Sequence, residues 1–220
     1  MLLIVTRDFP DPVNNLNNLV KALSARNIPY KITRKCDPQI IRRKDIRGII
    51  IPGTNHFRIL PNEIQPDLDL ELYYLHHFPN IPVLGICHGC QFLTVYYGGQ
   101  LMKYDTFWPG SKEVELDLTV ANLFHGEDKI QHLMVHFRDL PLAPKTGMGV
   151  REIAWFREFR DGRRRAAAFE FEKGRVYGLM FHPEAKKETH EILYNFYDNV
   201  ASSASSASSP ASASASASSS

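Results

Sequence analysis

Short apolar runs with no helical period constrain this chain most. Leu2 to Thr6, Gly48 to Ile51 and Ile81 to Ile86 read as buried strands, and Tyr30 to Thr33 as a shorter one. Helical patterns separate them. Leu16, Leu19, Val20 and Leu23 recur at helical spacing after Pro10 and Pro12 break the chain. A second helix is expected over Leu68 to Phe78, with Asp67 as its N-cap and Leu68, Leu72 and Leu75 along one side. Buried strands alternating with helices predict parallel βαβ units, hence an α/β fold whose mostly parallel sheet has helices on both faces.

The second half changes pattern. Val114, Leu116 and Leu118 alternate with charged or polar residues, and Leu133 to Phe137, Ile153 to Phe159 and Ala167 to Phe171 also read as strands. They predict an antiparallel section added to the parallel sheet. Arg175 to Met180 returns to a buried strand, and Thr189 to Val200 reads as a closing amphipathic helix through Ile192, Leu193 and Phe196. From Ala201 onward only Ser, Ala and one Pro occur. One domain is therefore expected over 1–200, followed by a Ser/Ala-rich tail, 201–220, too poor in apolar surface to offset its ordering entropy.

Charge excludes little but points away from polyanions. The 26 basic and 24 acidic side chains leave a formal charge of +2, so neither nucleic acid nor membrane is an expected partner. The one tight basic run, Arg163-Arg164-Arg165, reads as a solvated loop. No apolar run approaches the ~20 residues of a bilayer span, and Met1 to Thr6 reads as a strand, not a signal sequence. Three cysteines, Cys36, Cys87 and Cys90, do not make a disulfide framework. A reducing, cytoplasmic setting is expected.

The segment Val83-Leu84-Gly85-Ile86-Cys87-His88-Gly89-Cys90-Gln91 carries the chemistry. A buried strand runs straight into Gly-x-Cys-x-Gly, and a helix follows to Tyr97, ended by Gly98-Gly99. With serine at the centre this pattern is a nucleophile elbow, a strained turn between flanking glycines. The thiol then sits at a helix N-terminus, where unpaired N–H groups favour a thiolate. The N–H of His88 is placed to help bind an oxyanion. Two other readings use the same residues. Cys87 and Cys90 form a Cys-x-x-Cys, which after a strand fits a redox pair. They could also supply half a zinc site, with His125, His132 or His136 completing it, although the spacing matches no standard site.

Gly178-Leu179-Met180-Phe181-His182-Pro183-Glu184 is the second signal. A strand ends at Phe181, and Pro183 is expected to keep the segment extended, so that His182 and Glu184 point to the same side. A carboxylate so placed fixes the imidazole tautomer whose other nitrogen faces a nucleophile. Cysteine, base and orienter all fall at strand C-termini, where sites gather in parallel sheets.

At these segments the sequence resembles the class I, triad-type glutamine amidotransferases, and within them the glutaminase part of GMP synthase. The resemblance rests on Gly85-x-Cys87-x-Gly89-x-Gln91 and His182-Pro183-Glu184. Gly48 to Gly53 resembles the family's strand and glycine turn, and Gly98-Gly99 its glycine pair. His136-Phe137-Arg138-Asp139 loosely resembles a His-x-Asp segment with one extra residue, and Asn195-Phe196 the closing helix. The chain departs from the pattern at Pro52-Gly53-Thr54-Asn55, where consecutive glycines are usual. It departs again at His88 and Cys90, and at Val135, where a small polar residue is expected.

The resemblance implies a flavodoxin-like sheet and hydrolysis of glutamine to glutamate and ammonia, without metal or organic cofactor. It implies Cys87, His182 and Glu184 as the catalytic triad and the N–H groups of Gly53 and His88 as the oxyanion hole. Gln91, Val135 and His136 would then lie at the glutamine pocket. The chain has neither a Walker-type glycine loop nor length for a synthetase. Ammonia would therefore pass to a separate synthetase of the ATP-pyrophosphatase type. A stand-alone γ-glutamyl hydrolase, and a non-catalytic binding or regulatory protein on the same fold, are the alternatives.

Overall fold

A computed structural model describes residues 1–8, 15–54, 69–143, 149–157 and 164–202, excluding the side chains of 104–107 and 138. Nine strands form one sheet in the order β2-β1-β3-β4-β9-β8-β7-β5-β6. The first part is parallel: β1 (Leu2–Val5), β2 (Tyr30–Thr33), β3 (Gly48–Ile51), β4 (Val83–Ile86) and β9 (Val176–Leu179). Every residue of β1, β3, β4 and β9 is buried, as the uninterrupted apolar runs required.

Glycines show which helix covers which face. A side chain on Gly85 of β4 would strike Gly89 and Leu93 of α4 (His88–Tyr96). One on Gly48 of β3 would strike Phe196 and Ala201 near the C-terminal end. The register Ile51↔Gly85 puts these two glycines on opposite faces of the sheet, so helices cover both. The others are α1 (Asn15–Ala25), α2 (Pro38–Ile41), α3 (Asp69–His77), α5 (Ala121–Phe124) and α6 (Glu191–Asn195).

The antiparallel section comprises β5 (Gln100–Leu116), β6 (Ile130–Leu142), β7 (Arg151–Phe156) and β8 (Arg165–Glu172). It returns on itself. Beyond β9, Phe181 forms an antiparallel bridge with Val135 of the far strand β6, and the His182 N–H donates to the Met134 carbonyl at 2.8 Å. Trp108, Phe137 and Phe156 pack together inside this section, with centroids 5.5 to 6.2 Å apart.

Several elements differ from expectation. β5 and β6 run far beyond Val114–Leu116 and Leu133–Phe137, because they pair with each other from Gln100↔Leu142 to Glu115↔Ile130, straight through Pro109, Gly110 and Pro141, residues that look like turn formers in sequence. Pro109 is tolerated since β7 pairs only with Val114–Leu116, leaving β5 a single neighbour at Pro109. Leu118 lies past β5 and is 42% exposed. The closing helix is not continuous: a 3-10 turn (Lys187–Thr189), α6 and a π-helical turn (Phe196–Ala201) replace it. Ala201 is buried and Ser202 bonds the Tyr197 carbonyl at 2.8 Å, so both belong to the packed structure. The expected tail from 203 onward lies outside the described residues, as do Asp67, Leu68 and Arg163. Arg164 stacks over Trp155 at 3.8 Å and pairs with Glu115 at 3.6 Å. No helix among the described residues is long and apolar enough to cross a membrane.

Candidate active site

Cys87 joins β4 to α4 with φ 52° and ψ −103°. It is one of two non-glycine residues at positive φ among those described. Such backbone is costly and persists only where neighbours over-determine it. Here the Cys87 N–H donates to the Leu179 carbonyl of β9 at 2.6 Å, and its own carbonyl accepts from the Gln91 N–H at 3.0 Å. The flanking glycines let the backbones close up. A Cβ on Gly89 would lie 2.0 Å from the Ile51 carbonyl oxygen, and one on Gly85 2.5 Å from the Gly89 backbone.

His182 follows β9, the neighbour of β4, so Cys87 and His182 stand side by side on one sheet edge. His182 Nδ1–H donates to Glu184 Oε1 at 2.8 Å, and both side chains are buried. The route to this contact differs from expectation. Pro183 does not keep the segment extended but opens a 3-10 turn, Pro183–Ala185. Proline suits the first position of a helical turn, and the turn swings Glu184 back onto the ring.

Burial alone would push the His182 imidazole down. The Glu184 carboxylate and the Cys87 sulfur outweigh it and hold the imidazole well above its ordinary value. His182 Nε2 is buried with no other hydrogen-bond partner among the described residues, which leaves it to face the Cys87 sulfur that helps raise the imidazole. Cys87 Sγ also contacts the His136 carbonyl at 3.4 Å.

Gly53 completes the group. A Cβ there would stand 2.9 Å from His182 Cε1 and 3.3 Å from Cys87 Cβ. Its backbone therefore lies against both.

A family model decides the relationship: that of the class I glutamine amidotransferases matches residues 9–200. The chain belongs to this family. Among curated relatives, the glutamine-hydrolysing GMP synthase of Clostridium tetani is 30% identical over 166 residues, covering 73% of this chain and 29% of that protein. The chain thus spans under a third of the relative's length. Among solved structures, a GMP synthase-type protein from Thermoplasma acidophilum superimposes with TM-score 0.71 at 19% identity, covering 94% of this chain and 97% of the other. A glutamine amidotransferase from Thermotoga maritima gives TM-score 0.62 at 17% identity, covering 89% and 81%. These structural likenesses show that the fold is shared.

The remaining sequence-predicted residues of this amidotransferase fall around the cysteine in different ways. Gln91 is buried and spends its Nε2 on the Asp139 carbonyl of β6, 2.8 Å away. Val135 is buried in the bridge to Phe181, so it borders the site through backbone. The His136 side chain is exposed, and partial burial together with His182 lowers its imidazole. Cys90 points under the helix. A Cβ on Gly178 would meet its sulfur at 2.8 Å, and burial, with the charge of Cys87 added, pushes its thiol well up. That environment disfavours the thiolate a redox pair requires. Among the described residues no three His, Cys, Asp or Glu side chains are grouped to hold a metal ion.

Sequence reasoning passed over Arg7 and Glu71. Arg7 Nη2 meets Glu71 Oε2 at 3.2 Å, and Arg7 acts electrostatically on His88. Asp8 beside it accepts from Thr54 Oγ1 at 2.8 Å. Their signal was available: charged residues at the end of a central strand and in the first turn of a helix, on the edge where sites form.

Proposed function

We propose that the chain hydrolyses the side-chain amide of glutamine through a Cys87 thioester and passes the ammonia to a synthetase outside this chain. The observation that carries the reading is the Nδ1–Oε1 contact of 2.8 Å between His182 and Glu184, set beside a cysteine at φ 52°. The Cys87 thiolate attacks the amide carbon, forming the C–S bond. The N–H groups of Gly53 and His88 receive the developing oxyanion. His182, held by Glu184, gives its proton to the leaving nitrogen as the C–N bond breaks and ammonia departs. The neutral imidazole then takes a proton from water, whose oxygen attacks the thioester. Glutamate leaves and the thiol is restored.

His136 and Gln91 border the glutamine pocket in this reading, Gln91 as a tie between α4 and β6. The GMP synthases among the relatives support a synthetase of the ATP-pyrophosphatase type as acceptor, and a cytoplasmic setting follows from that role. The test is labelling of Cys87 by a glutamine-analogue electrophile. Protection by glutamine, with glutaminase activity lost in Cys87→Ala, supports the reading. Glutaminase activity surviving in Cys87→Ala overturns it. Activity on γ-glutamyl amides but not on glutamine would replace glutamine with another γ-glutamyl substrate.

A further inference from the structure

We infer that Thr189 is a positioning residue for the triad: together with His190 it holds the 3-10 turn that brings the Glu184 carboxylate onto His182. The inference rests on the glutaminase reading above and deepens it.

The Glu184 carboxylate has little of its own to fix it. Oε1 accepts from His182 Nδ1 at 2.8 Å, whereas Oε2 is buried with no hydrogen-bond partner among the described residues. The side chain is therefore aimed by its backbone. That backbone is a turn of three residues, Pro183–Ala185, closed by the Ala185 N–H donating to the His182 carbonyl at 3.2 Å. One such bond is a weak hold on a short 3-10 segment. Carbonyls at the end of a helical turn also need donors from elsewhere.

Two consecutive residues supply them. Thr189 Oγ1 lies 2.8 Å from the Pro183 carbonyl oxygen and 2.9 Å from that of Lys186. The Lys186 carbonyl already accepts the Thr189 N–H at 3.1 Å, so the single hydroxyl proton is free to serve Pro183. His190 Nε2 lies 3.3 Å from the Glu184 carbonyl oxygen. A carbonyl only accepts, so Nε2 carries the proton there. Threonine at a helix start commonly caps the turn ahead of it, but here both side chains reach back. His190 stands at the N-cap of α6 with no side-chain cap bond. Thr189 is 3% exposed, and a hydroxyl so buried is unfavourable unless it is bonded. The pair leads directly into α6, whose Ile192 and Leu193 are fully buried and whose Asn195 Nδ2 donates to the His125 carbonyl at 2.8 Å. The brace thus stands on a fixed support and ties the closing segment to the carboxylate.

The test reads the His182 ring itself. Thr189→Val keeps the side-chain shape and removes the donor, leaving a buried carbonyl without it. Glu184 should then draw away from Nδ1. Its carboxylate helps to hold the His182 imidazole up, so the NMR titration midpoint of that ring should fall. The kcat for glutamine should drop about tenfold, as small misplacements in a site do, with KM within about twofold. Thr189→Ser, which keeps a hydroxyl, should retain most of both values. In a Glu184→Gln background Thr189→Val should cost little further activity, because no carboxylate remains to be placed. An unmoved His182 titration in Thr189→Val overturns the inference. So does an equal cost in the Glu184→Gln background, or a Thr189→Ser variant as impaired as Thr189→Val. If Thr189→Val does not fold, His190→Phe takes its place. It removes the donor to the Glu184 carbonyl but keeps a ring against Tyr194, and it should lower the same titration; no change there overturns the inference. A wild-type protein without glutaminase activity fails the underlying reading instead. The His182 titration needs no turnover, so the two failures are distinct.

Discussion

Cys87 Sγ lies 3.4 Å from the carbonyl oxygen of His136 and is oriented to donate to it. Only the thiol form can make that contact. In the proposed reaction the proton passes to His182, and the same carbonyl would then repel the sulfur and favour its turning toward Nε2, which has no other partner among the described residues. In that reaction this contact would favour the thiol over the thiolate at Cys87. Cys87→Ala should remove glutaminase activity by at least roughly four orders of magnitude while the thermal midpoint moves by only a few degrees. Steady-state ammonia release and a melting curve check both.

Glu184→Gln should lower kcat by about a hundredfold or more, since the carboxylate fixes the tautomer and stabilises the imidazolium. The imidazolium is favoured in the folded state. Its contribution to stability is thus complete below the unfolded value of about 6.5 and is lost as pH rises through the higher folded value. In Glu184→Gln that alkaline loss should shrink. NMR titration of the His182 ring and denaturation between neutral and alkaline pH measure the two effects.

His88 has the opposite sign. Its folded value of about 4 lies below the unfolded one, so the unfolded chain binds the proton first and stability falls as pH drops from about 6.5 toward 4. The full swing is roughly 3 kcal/mol. His88→Leu should remove this part of the acid sensitivity, read as a smaller difference in denaturant midpoint between pH 7 and pH 4.5.

Gly53→Ala and Gly89→Ala should fail differently. At Gly53 the new Cβ meets His182 Cε1 at 2.9 Å, the edge of a ring that can shift. Activity should fall at least about tenfold, as small misplacements in a site do, in a folded protein. At Gly89 it meets the Ile51 carbonyl oxygen at 2.0 Å, which is backbone. That variant should lose several kcal/mol or not fold. Melting curves for both, with kinetics for Gly53→Ala, separate the cases.

Local pattern made much of this protein legible. The parallel strands announce themselves because both faces are buried, and Gly85, Cys87 and Gly89 because a tight strand-to-helix turn permits few residue types. His182 and Glu184 were legible as a pair, yet Pro183 misled about the path between them: it opens a helical turn as readily as it holds an extended segment. The long β5 and β6 were hidden by Pro109, Gly110 and Pro141, whose tolerance depends on which neighbours each strand has. Arg7 and Glu71 are far apart in sequence and share no motif, so only the meeting of β1 and α3 at the sheet edge shows that they touch. The protonation of His88 was equally out of reach, being set by burial and by that same arginine.

The neighbouring of β4 and β9, with Gly85 opposite Gly178 and Ile86 opposite Leu179, bears on how this molecule comes into being. The whole antiparallel section lies between those partners in the chain. Their pairing must wait for a large loop to close, and such non-local contacts form slowly. A nascent chain that has released Cys87 but not yet His182 presents a strand edge with no neighbour. During synthesis Cys87 thus emerges well before His182, and the arrangement proposed for catalysis can form only with the last strand in place.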